Sequence, residues 1–385
     1  MIVYLDNSST TKPRDEVVDE MCNMLKFEYG NPSSLHRMGL EVEKRLEHSR
    51  KIISDFINCE KDEIFFTAGG TESNNISVQG LLNKNIKRGN HIITTKYEHS
   101  SVLNIIKYYE NKGLKVTYLD LDEYGMINLE QLENSISEST ILVAIMMVNN
   151  EIGTILPINN ISKTVKSKNR NTKIHVDGIQ AFGKLDIDVN KLNIDTFSFS
   201  SHKIHGPKGV GGLYVKKDIL LEPIIYGGNQ ERGIRSGTEN TPGIVGLGKA
   251  VEILSEKQKK ESDYIRKVKD YFVKKLIDTV DGIKINSLLD ERCAPHILNV
   301  SFNGVRGEVL LHYLEDNGIY VSTASACSSH GKKKSHVLAA IGLNEEEIEG
   351  AIRFSFSNNN TLEEINYAIE KIQQSVRDIR RITMR

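Results

Sequence analysis

One cysteine of this chain stands in a run of small polar residues that ends in three lysines. The run covers residues 322–334 and reads STASACSSHGKKK, with Cys327 near its centre. A cysteine that packs in a core has apolar neighbours, and Cys327 has almost none. Nearby lysines favour the thiolate, which is the nucleophilic form of the side chain. The run predicts a solvent-reachable loop that carries either a reactive thiol or a passive one.

A glycine-containing turn follows the strand pattern EIFFT at residues 63–67. The stretch from residue 67 to residue 75 reads TAGGTESNN, and its hydroxyls and free backbone N–H groups would open a helix. Helix N-termini bind phosphate well. Many strand-to-helix turns have the same composition, so a phosphate site and an ordinary turn are both compatible with this pattern alone.

Two further strand ends carry a carboxylate and a lysine. Asp177 ends the pattern KIHVD, and Lys203 follows the pattern TFSFS, 26 residues later. Side chains at the carboxyl ends of strands point into the crevice where α/β sheets bind ligands. A lysine there can lose part of its hydration, which lowers its pKa and frees the amine for Schiff-base chemistry. Pyridoxal 5'-phosphate needs a lysine, a carboxylate at its ring nitrogen and a phosphate cradle, so the three signals together predict this cofactor.

The elements that must position these residues alternate between short apolar runs and longer amphipathic stretches. A continuous apolar run such as ILVAIMMV is typical of a strand buried on both faces of a sheet. The alternation predicts an α/β fold with a mainly parallel sheet covered by helices. The predicted strands are residues 63–67, 91–95, 115–119, 141–148, 173–177, 196–200 and 212–215.

The pattern changes after about residue 250. Residues 256–280 form a charged helical pattern, and strands are predicted near residues 297–302 and 318–323. A last helix begins at a capping box formed by Thr361 and Glu364. Its predicted apolar face consists of Leu362, Ile365, Ile369, Ile372, Val376 and Ile379. We predict a large α/β domain over residues 16–250 and a smaller α+β domain from residues 1–15 and 251–385.

The bulk composition argues against several classes of protein. The 385 residues are 39% hydrophobic and 26% charged, which is enough for a sizeable core. A net charge of −1 argues against a general nucleic-acid or membrane-surface binder. No apolar stretch reaches about 18 residues and the first residues lack the layout of a signal peptide, so we expect a cytoplasmic protein.

The four cysteines are Cys22, Cys59, Cys293 and Cys327. None forms a CxxC pair, so we expect no metal or iron–sulfur site built from this chain alone. Cys22 lies in a helical pattern and is predicted to pack there. Cys59 and Cys293 flank predicted turns, and we expect structural or passive roles for these three thiols.

Ten short motifs occur in order along the chain. They are LDN (5–7), GNPSS (30–34), GTES (70–73), KYEH (96–99), VNNEIG (148–153), HVD with Gln180 (175–180), SFSSHK (198–203), RGIRSGT (232–238), SAC (325–327) and IRFS (352–355). The set resembles the cysteine desulfurases of the NifS/IscS type, in the fold-type-I group of pyridoxal-phosphate enzymes. The resemblance covers almost the whole chain and implies that fold, that cofactor and L-cysteine as substrate.

The resemblance also implies a role for each matching residue. Lys203 would hold the cofactor and move protons, Asp177 would pair with the ring nitrogen, and His99 would stack on the ring and assist proton transfer. Arg353 would grip the substrate carboxylate. Cys327 would take the substrate sulfur as a persulfide and leave L-alanine. Further cofactor contacts are implied for Gly70, Thr71, Asn150, Gln180, Ser200 and His202, and Asn150 would also lie near the substrate carboxylate.

The implied partners are a second copy of the chain and a sulfur acceptor. Thr238 would reach the phosphate in the partner subunit, which implies a homodimer with composite sites. The acceptor would be an iron–sulfur scaffold or a tRNA-thiolation enzyme, and no direct nucleic-acid or membrane contact is expected. Three departures from the family pattern bear on this. Ser201 precedes the His–Lys pair, and FSNNN follows the IRFS motif. The sequence stops at Arg385, shortly after its last helical pattern, so we expect that the C-terminal extension used by IscS-type proteins for scaffold docking is lacking. The last departure favours considering a dedicated acceptor such as a tRNA-thiolation enzyme.

Two other classes of function fit parts of the pattern. Another fold-type-I enzyme, a selenocysteine lyase or an aminotransferase, would use the same cofactor residues, although an aminotransferase needs no loop thiol. A non-catalytic platform would keep the fold and bind partners. The intact set of Lys203, Asp177, His99 and Cys327 argues against the platform.

Overall fold

The computed structural model describes residues 1–323 and 334–383. Cys327 therefore lies outside the described residues. The strands are β1 Val3–Tyr4, β2 Ile64–Thr67, β3 His91–Thr95, β4 Lys115–Leu119, β5 Thr140–Met146, β6 Lys173–Asp177, β7 Thr196–Ser200, β8 Gly211–Val215, β9 Ile283–Ile285, β10 Ile297–Phe302, β11 Ile319–Tyr320, β12 Ser322–Thr323 and β13 Ala351–Ser355.

Helices are interspersed with these strands along the whole described chain. They are α1 Asp15–Phe27, α2 Arg37–Phe56, α3 Gly70–Asn85, α4 Ser100–Asn111, α5 Leu129–Ser135, α6 Ile158–Lys168, α7 Val189–Leu192, α8 Thr241–Thr279, α9 Gly307–Asp316, α10 His336–Ala340, α11 Glu345–Glu349 and α12 Leu362–Thr383. Short 3-10 turns occur at Lys61–Glu63, Ser201–Lys203 and Glu231–Gly233. None of the helices in the described part of the chain has the length and apolar composition of a membrane span.

A seven-stranded sheet in the order β2-β8-β7-β6-β5-β3-β4 lies at the centre of the fold. The strands β3 to β7 pair in parallel, and β8 runs antiparallel to both of its neighbours. Every residue of β5 is buried, as its continuous apolar run predicts. The predicted α/β fold with a mainly parallel sheet is thus confirmed. The carboxyl ends of β2, β3, β5, β6 and β7 meet at one edge, which is where the turns that carry the predicted site residues begin.

Most predicted strands match the observed bounds, and the differences have local causes. Glu63 belongs to a 3-10 turn because its side chain accepts the Glu60 N–H in a reciprocal cap. The strand predicted to reach residue 148 ends at Met146, where the chain turns into the site. The strand predicted at residues 318–323 is two strands, β11 beside β1 and β12 beside β13, which belong to different sheets.

The second half of the chain forms a smaller four-stranded antiparallel sheet, in the order β12-β13-β10-β9. The helix predicted at residues 256–280 is the second half of α8, whose 39 residues run through the predicted boundary at residue 250. One buried cluster contains Ile244 to Leu254 of this helix and the large sheet, and a second contains Ile265 to Leu276 and the small sheet. Helices α10 and α11 pack against the first cluster, although they come from the predicted small domain. The domain bounds of residues 16–250 and the remainder stay a prediction.

Two packing predictions are wrong. Cys22 is exposed on α1, because the buried face of that helix is formed by Val17 and Met24. Leu362 is 49% exposed because it is the first residue of α12 and lies outside the buried stripe that starts at Ile365. The capping box is confirmed: Thr361 N–H donates to Glu364 Oε2, and Glu364 N–H donates to Thr361 Oγ1.

Candidate active site

A cavity of about 270 Å³ opens at the carboxyl edge of the large sheet. It collects side chains from the turns after β2, β3, β5, β6 and β7, together with one from β13. The sequence-predicted residues that line it are Gly70, Thr71, His99, Asn150, Asp177, Gln180, Ser200, His202, Lys203 and Arg353. Ser8 and Ser9 of the N-terminal segment also line the cavity, so residues from both ends of the sequence share it.

Two predicted residues are not among those that line the cavity. Thr238 is exposed and lines a smaller cleft beside Ala68 and Gly209. Its predicted contact is with a second subunit and stays a prediction. Cys327 lies outside the described part of the chain. The last described residues before it, Ser322 and Thr323, pair with Arg353 and Ile352 of β13.

The carboxylate of Asp177 is held by two donors. Asn74 Nδ2 donates to Oδ2 at 2.9 Å, and the Ile179 N–H donates to Oδ1 at 3.1 Å. Asn74 in turn accepts at Oδ1 from His175 Nε2, at 3.0 Å. Burial lowers the pKa of His175 to about 3, so its ring is neutral and donates from Nε2. This chain of hydrogen bonds fixes an ionised acceptor at the cavity, as a protonated ring nitrogen requires.

His99 ends the turn after β3 and caps α4. Its Nδ1 accepts from the Ser101 N–H at 3.2 Å and lies 2.8 Å from Ser101 Oγ. Burial lowers the pKa of His99, and the negative charge of Asp177 only partly opposes this. The neutral ring therefore carries its proton on Nε2. In this tautomer the His99 ring, which lines the cavity, carries one N–H. Such a ring is suited to contact a planar ligand.

The amine of Lys203 is directed toward the N-terminal segment. Lys203 occupies the 3-10 turn that directly follows β7, and Nζ donates to the carbonyl oxygens of Ser8 and Ser9. Gln180 Nε2 also donates to the Ser8 carbonyl, at 3.0 Å. The N-terminal segment thus brings the lysine to the same side of the cavity as Gln180.

The opposite end of the cavity is built for an anion. Helix α3 begins at Gly70 without a side-chain cap, so N–H groups of its first turn lack helical partners. A Cβ at Gly70 would lie 2.2 Å from Cδ1 of Ile179, in the turn after β6, so a larger residue would have to displace that side chain. Ser200 Oγ is buried there without a hydrogen-bond partner among the described residues. A phosphate would accept from both groups, so these residues fit the phosphate of the predicted cofactor.

Arg353 presents a second cationic group to the cavity. It is only 5% exposed, and its Nη1 donates to the Asn150 carbonyl at 2.9 Å. Its Nη2 donates to Asp6 Oδ1 at 2.9 Å and to Ser9 Oγ at 2.6 Å. Its Nε–H is buried without an acceptor among the described residues. A fixed guanidinium with an unused donor is suited to a substrate carboxylate.

Sequence reasoning missed the residues that hold the predicted ones in place. Asn74 lies one helical turn after Gly70, and His175 lies two strand positions before Asp177. Helical and strand periodicity put each on the same face as its predicted neighbour, and this signal could have identified both. Ser8 and Ser9 gave no signal, because their backbone carbonyls and not their side chains hold the lysine.

Replacing Asn74 by alanine is expected to weaken cofactor binding about tenfold, the effect of losing one buried hydrogen bond to a carboxylate. Asp177 would lose one of its two donors, and His175 would lose its acceptor at Nε2. The dissociation constant would be measured by absorbance titration of cofactor-free protein. Asn85→Ala is the matched control, since Asn85 is also buried in α3 but bonds only to the Leu81 carbonyl. Equal weakening in both variants would contradict the role of Asn74.

Comparison with known proteins gives relatives over nearly the whole chain. The class-V aminotransferase family model matches residues 3–367. Cysteine desulfurase IscS of Clostridium botulinum is 43% identical over 382 residues, which cover 99% of this chain and 96% of the relative. Cysteine desulfurase IscS of Methanosarcina thermophila is 41% identical over 381 residues, which cover 99% and 93%. A solved structure of a NifS-like protein has a TM-score of 0.92 at 42% identity and covers 97% of this chain and 99% of that chain.

The family match over residues 3–367 spans the seven-stranded and the four-stranded sheet. The resemblance inferred from ten short motifs is thereby confirmed at the level of the full chain. Cysteine desulfurases of this family depend on pyridoxal 5'-phosphate. This chain belongs to the class-V aminotransferase family and, within it, to the cysteine desulfurases of the IscS/NifS type.

Proposed function

We propose that this protein removes the sulfur of L-cysteine, releases L-alanine and holds the sulfur as a persulfide on Cys327. One observation carries the proposal: the cavity that collects Lys203, Asp177 and Arg353 adjoins the strand from which the Cys327 segment departs. Thr323 pairs with Ile352, the neighbour of Arg353. In the sequence, Cys327 comes four positions after Thr323, and a chain of that length spans at most about 14 Å.

The residues of the cavity fit pyridoxal 5'-phosphate, which supplies an electron sink for the carbons of a bound amino acid. Lys203 would attach the cofactor and Asp177 would keep its ring nitrogen protonated. Gly70, Thr71, Ser200 and His202 would hold its phosphate, and Gln180 and Asn150 would contact its hydroxyl side. Burial lowers the pKa of His202 to about 4, so this residue would bind phosphate as a neutral hydrogen-bond donor.

Arg353 would bind the substrate carboxylate through its unused Nε–H, with Asn150 beside it. Asp6, Ser9 and the Asn150 carbonyl fix the guanidinium before substrate arrives, so little side-chain entropy is lost on binding. Fixing the carboxylate orients the α-proton and the substrate sulfur within the cavity. Lys203 and His99 would then remove and return protons at the substrate carbons.

The sulfur transfer would begin at the thiolate of Cys327. The thiolate attacks the substrate sulfur, a sulfur–sulfur bond forms, and the bond between sulfur and the substrate β-carbon breaks. The electron pair of the broken bond passes to the β-carbon, which takes up a proton, and the organic product is L-alanine. The persulfide then remains on Cys327 until an acceptor thiol attacks it.

We infer a homodimer in which Thr238 reaches the site of the other copy, and a protein acceptor for the sulfur. The exposed position of Thr238, outside its own cavity, supports the first inference. The acceptor would be an iron–sulfur scaffold or a tRNA-thiolation enzyme. Transfer of labelled sulfur from the persulfide form to each purified candidate would distinguish them. Cys327 must be a reduced thiol before it can attack the substrate sulfur, which supports a cytoplasmic location.

Incubation of the purified protein with L-cysteine and a thiol reductant is expected to yield L-alanine and sulfide in equal amounts. L-Selenocysteine is the matched substrate for the selenocysteine lyase alternative. An amino acid together with a 2-oxo acid is the matched substrate pair for the aminotransferase alternative. Preference for selenocysteine or amino-group transfer without sulfide would contradict the proposal. The absence of any product, from protein that has bound the cofactor, would favour a non-catalytic platform.

A further inference from the structure

The strand β2 is the end strand of the large sheet, and side chains cover its outer edge. The Phe66 N–H donates to Glu231 Oε2 at 2.8 Å, and the Ile64 carbonyl accepts from Arg50 Nη1 at 2.6 Å. Buried backbone groups at a sheet edge need such partners. This strand leads directly into residues 67–72, the phosphate turn, which would hold the phosphate of the cofactor. A glutamate and an arginine thus complete the sheet edge beside that turn.

Arg50 and Glu231 form a buried ion pair with two parallel hydrogen bonds. Arg50 Nη2 donates to Glu231 Oε1 at 2.9 Å, and Nη1 donates to Oε2 at 3.0 Å. The two residues are 5% and 7% exposed. Burying two charges contributes little net stability, because both lose their hydration. What the pair provides is a fixed geometry, which holds Glu231 where it accepts the Phe66 N–H.

The segment that carries Glu231 has a backbone conformation that residues other than glycine rarely adopt. Asn229, Glu231 and Arg232 have φ angles of +62°, +47° and +54°. Such conformations cost free energy and persist only where surrounding contacts determine them. The contacts here are the ion pair with Arg50 and a hydrogen bond from Arg232 Nη2 to the Ile64 carbonyl, at 2.8 Å. The segment is therefore anchored to β2.

The same segment holds the far end of the phosphate turn through Arg235. Arg235 Nε donates to Glu72 Oε2 at 3.3 Å, and the same oxygen accepts the Ala68 N–H. Glu72 lies in the first turn of α3, so its carboxylate closes the phosphate turn on itself. Residues 231–235, which we call the clamp segment, thus contact the chain on both sides of the turn, at Phe66 and at Glu72.

Glu72 also brings a negative charge close to the place predicted for a phosphate. It lines a cleft together with Gly70, Thr71 and Ser200, which are among the residues that would hold that phosphate. Like charges repel more strongly in a partly dehydrated cleft than in bulk water. Arg235 offsets the charge of Glu72 through their ion pair. The clamp segment therefore acts on the charge of the turn as well as on its shape.

We propose that Glu231 and Arg235 are positioning residues for the cofactor phosphate: the clamp segment fixes both ends of the phosphate turn, and the ion pair with Arg50 fixes the clamp segment. The inference rests on the proposed function, in which this turn holds the phosphate of pyridoxal 5'-phosphate. Donors that are fixed before a ligand arrives lose little entropy when they bind it. Loosening the clamp segment is therefore expected to weaken binding through the phosphate and to leave binding through the ring and aldehyde unchanged.

The test compares pyridoxal 5'-phosphate with pyridoxal, which has the same ring and aldehyde but no phosphate. Two clamp variants are used. Arg235→Met removes the contact with Glu72, and Arg50→Met/Glu231→Met removes the ion pair without leaving one buried charge unpaired. Arg235 is only partly buried, so its variant keeps the test valid if the double variant fails to fold.

Dissociation constants for both ligands would be measured by absorbance titration of the cofactor-free full chain. We expect each clamp variant to bind pyridoxal 5'-phosphate about tenfold more weakly than the native chain. Pyridoxal is expected to bind within about twofold of its native affinity. A general loss of structure would instead weaken both ligands alike.

An ion pair at the amino end of β6 provides the matched control. Lys166 Nζ donates to Asp195 Oδ2 at 2.7 Å, and the same oxygen accepts the Ile174 N–H at 2.7 Å. Lys166→Met/Asp195→Leu therefore removes the same kinds of contact, a cation and a strand N–H on one carboxylate, away from the carboxyl edge of the sheet. We expect the ratio of the two dissociation constants to stay at its native value.

Hydrogen exchange gives a readout that needs no cofactor. The Phe66 and Ala68 N–H groups donate to Glu231 and Glu72, so both amides are protected while the clamp segment is in place. We expect peptides from this turn to exchange at least about tenfold faster in the clamp variants and at the native rate in the control.

Equal weakening of both ligands in the clamp variants would overturn the positioning role, and so would unchanged affinity for pyridoxal 5'-phosphate in folded variants. A control variant that changes the ratio as much as the clamp variants do would contradict it as well. A native chain that binds pyridoxal as tightly as pyridoxal 5'-phosphate would overturn the proposed phosphate site and the role built on it. The exchange rates would then still show whether the clamp segment holds the turn.

Discussion

Cys327→Ser is expected to keep the bound cofactor and its absorbance but to lose persulfide formation completely. A serine hydroxyl is far less acidic than a thiol, so the variant has no anionic nucleophile at neutral pH to attack the substrate sulfur. The three lysines at residues 332–334 of the sequence are expected to favour the thiolate in the native chain. We expect L-alanine production from L-cysteine to fall by at least about 10³-fold, as for the loss of other catalytic nucleophiles.

The measurement is intact mass after brief exposure to L-cysteine, followed by peptide mapping. Wild-type protein is expected to gain about one sulfur atom on the peptide that contains Cys327, and the variant none. Cys22→Ser is the matched control, because Cys22 is exposed on α1 and would report non-specific thiol chemistry. Alanine production at the normal rate in Cys327→Ser would refute the role of this residue.

Lys203→Ala is expected to abolish covalent attachment of the cofactor and to reduce turnover by at least about 10³-fold. The phosphate turn and the Asp177 carboxylate would remain, so the variant is expected to bind the cofactor non-covalently and more weakly. Borohydride reduction followed by mass analysis would detect attachment in the wild-type protein and none in the variant. Loss of attachment should not unfold the chain, which thermal unfolding would verify.

A second lysine provides a stringent control for this experiment. Lys184 is buried, and burial lowers the pKa of its amine to about 8, so its amine is also reactive near neutral pH. It is not among the residues that line the cavity. Lys184→Met is therefore expected to keep the borohydride-stable adduct. Attachment retained in Lys203→Ala and lost in Lys184→Met would reverse the assignment.

Local sequence spacing predicted the position of a site residue where that residue ends or directly follows a strand of the parallel sheet. Asp177 is the last residue of β6, and Lys203 follows β7 by three positions. Neighbouring parallel strands bring their carboxyl ends to one edge, so residues at those ends meet without further information. This rule explains why Asp177 and Lys203 could be predicted to converge before any contact was known, whereas the role of His99 was implied only by the family resemblance.

Local spacing was uninformative wherever a contact joins segments that no periodicity relates. The Lys203 amine is held by backbone carbonyls of residues 8 and 9, which carry no side-chain signal. Glu151 and Ser335 are 184 positions apart, and neither residue type indicates the other. Cys22 was predicted to pack because it lies in a helical pattern, but the packing of α1 buries Val17 and Met24 and leaves Cys22 exposed.

The sequence by itself determined the α/β class, most strand positions, the cofactor set and the family, because these depend on residue order and on patterns a few residues long. Only the tertiary structure decided which residues support that set. It showed that Asn74 donates to Asp177, that the Ser8 carbonyl accepts from Lys203, and that Glu151 accepts from Ser335. The physical reason is that burial and hydrogen bonding between segments far apart in the sequence depend on how the whole chain packs. A pattern a few residues long does not indicate which distant segments will lie close together in space.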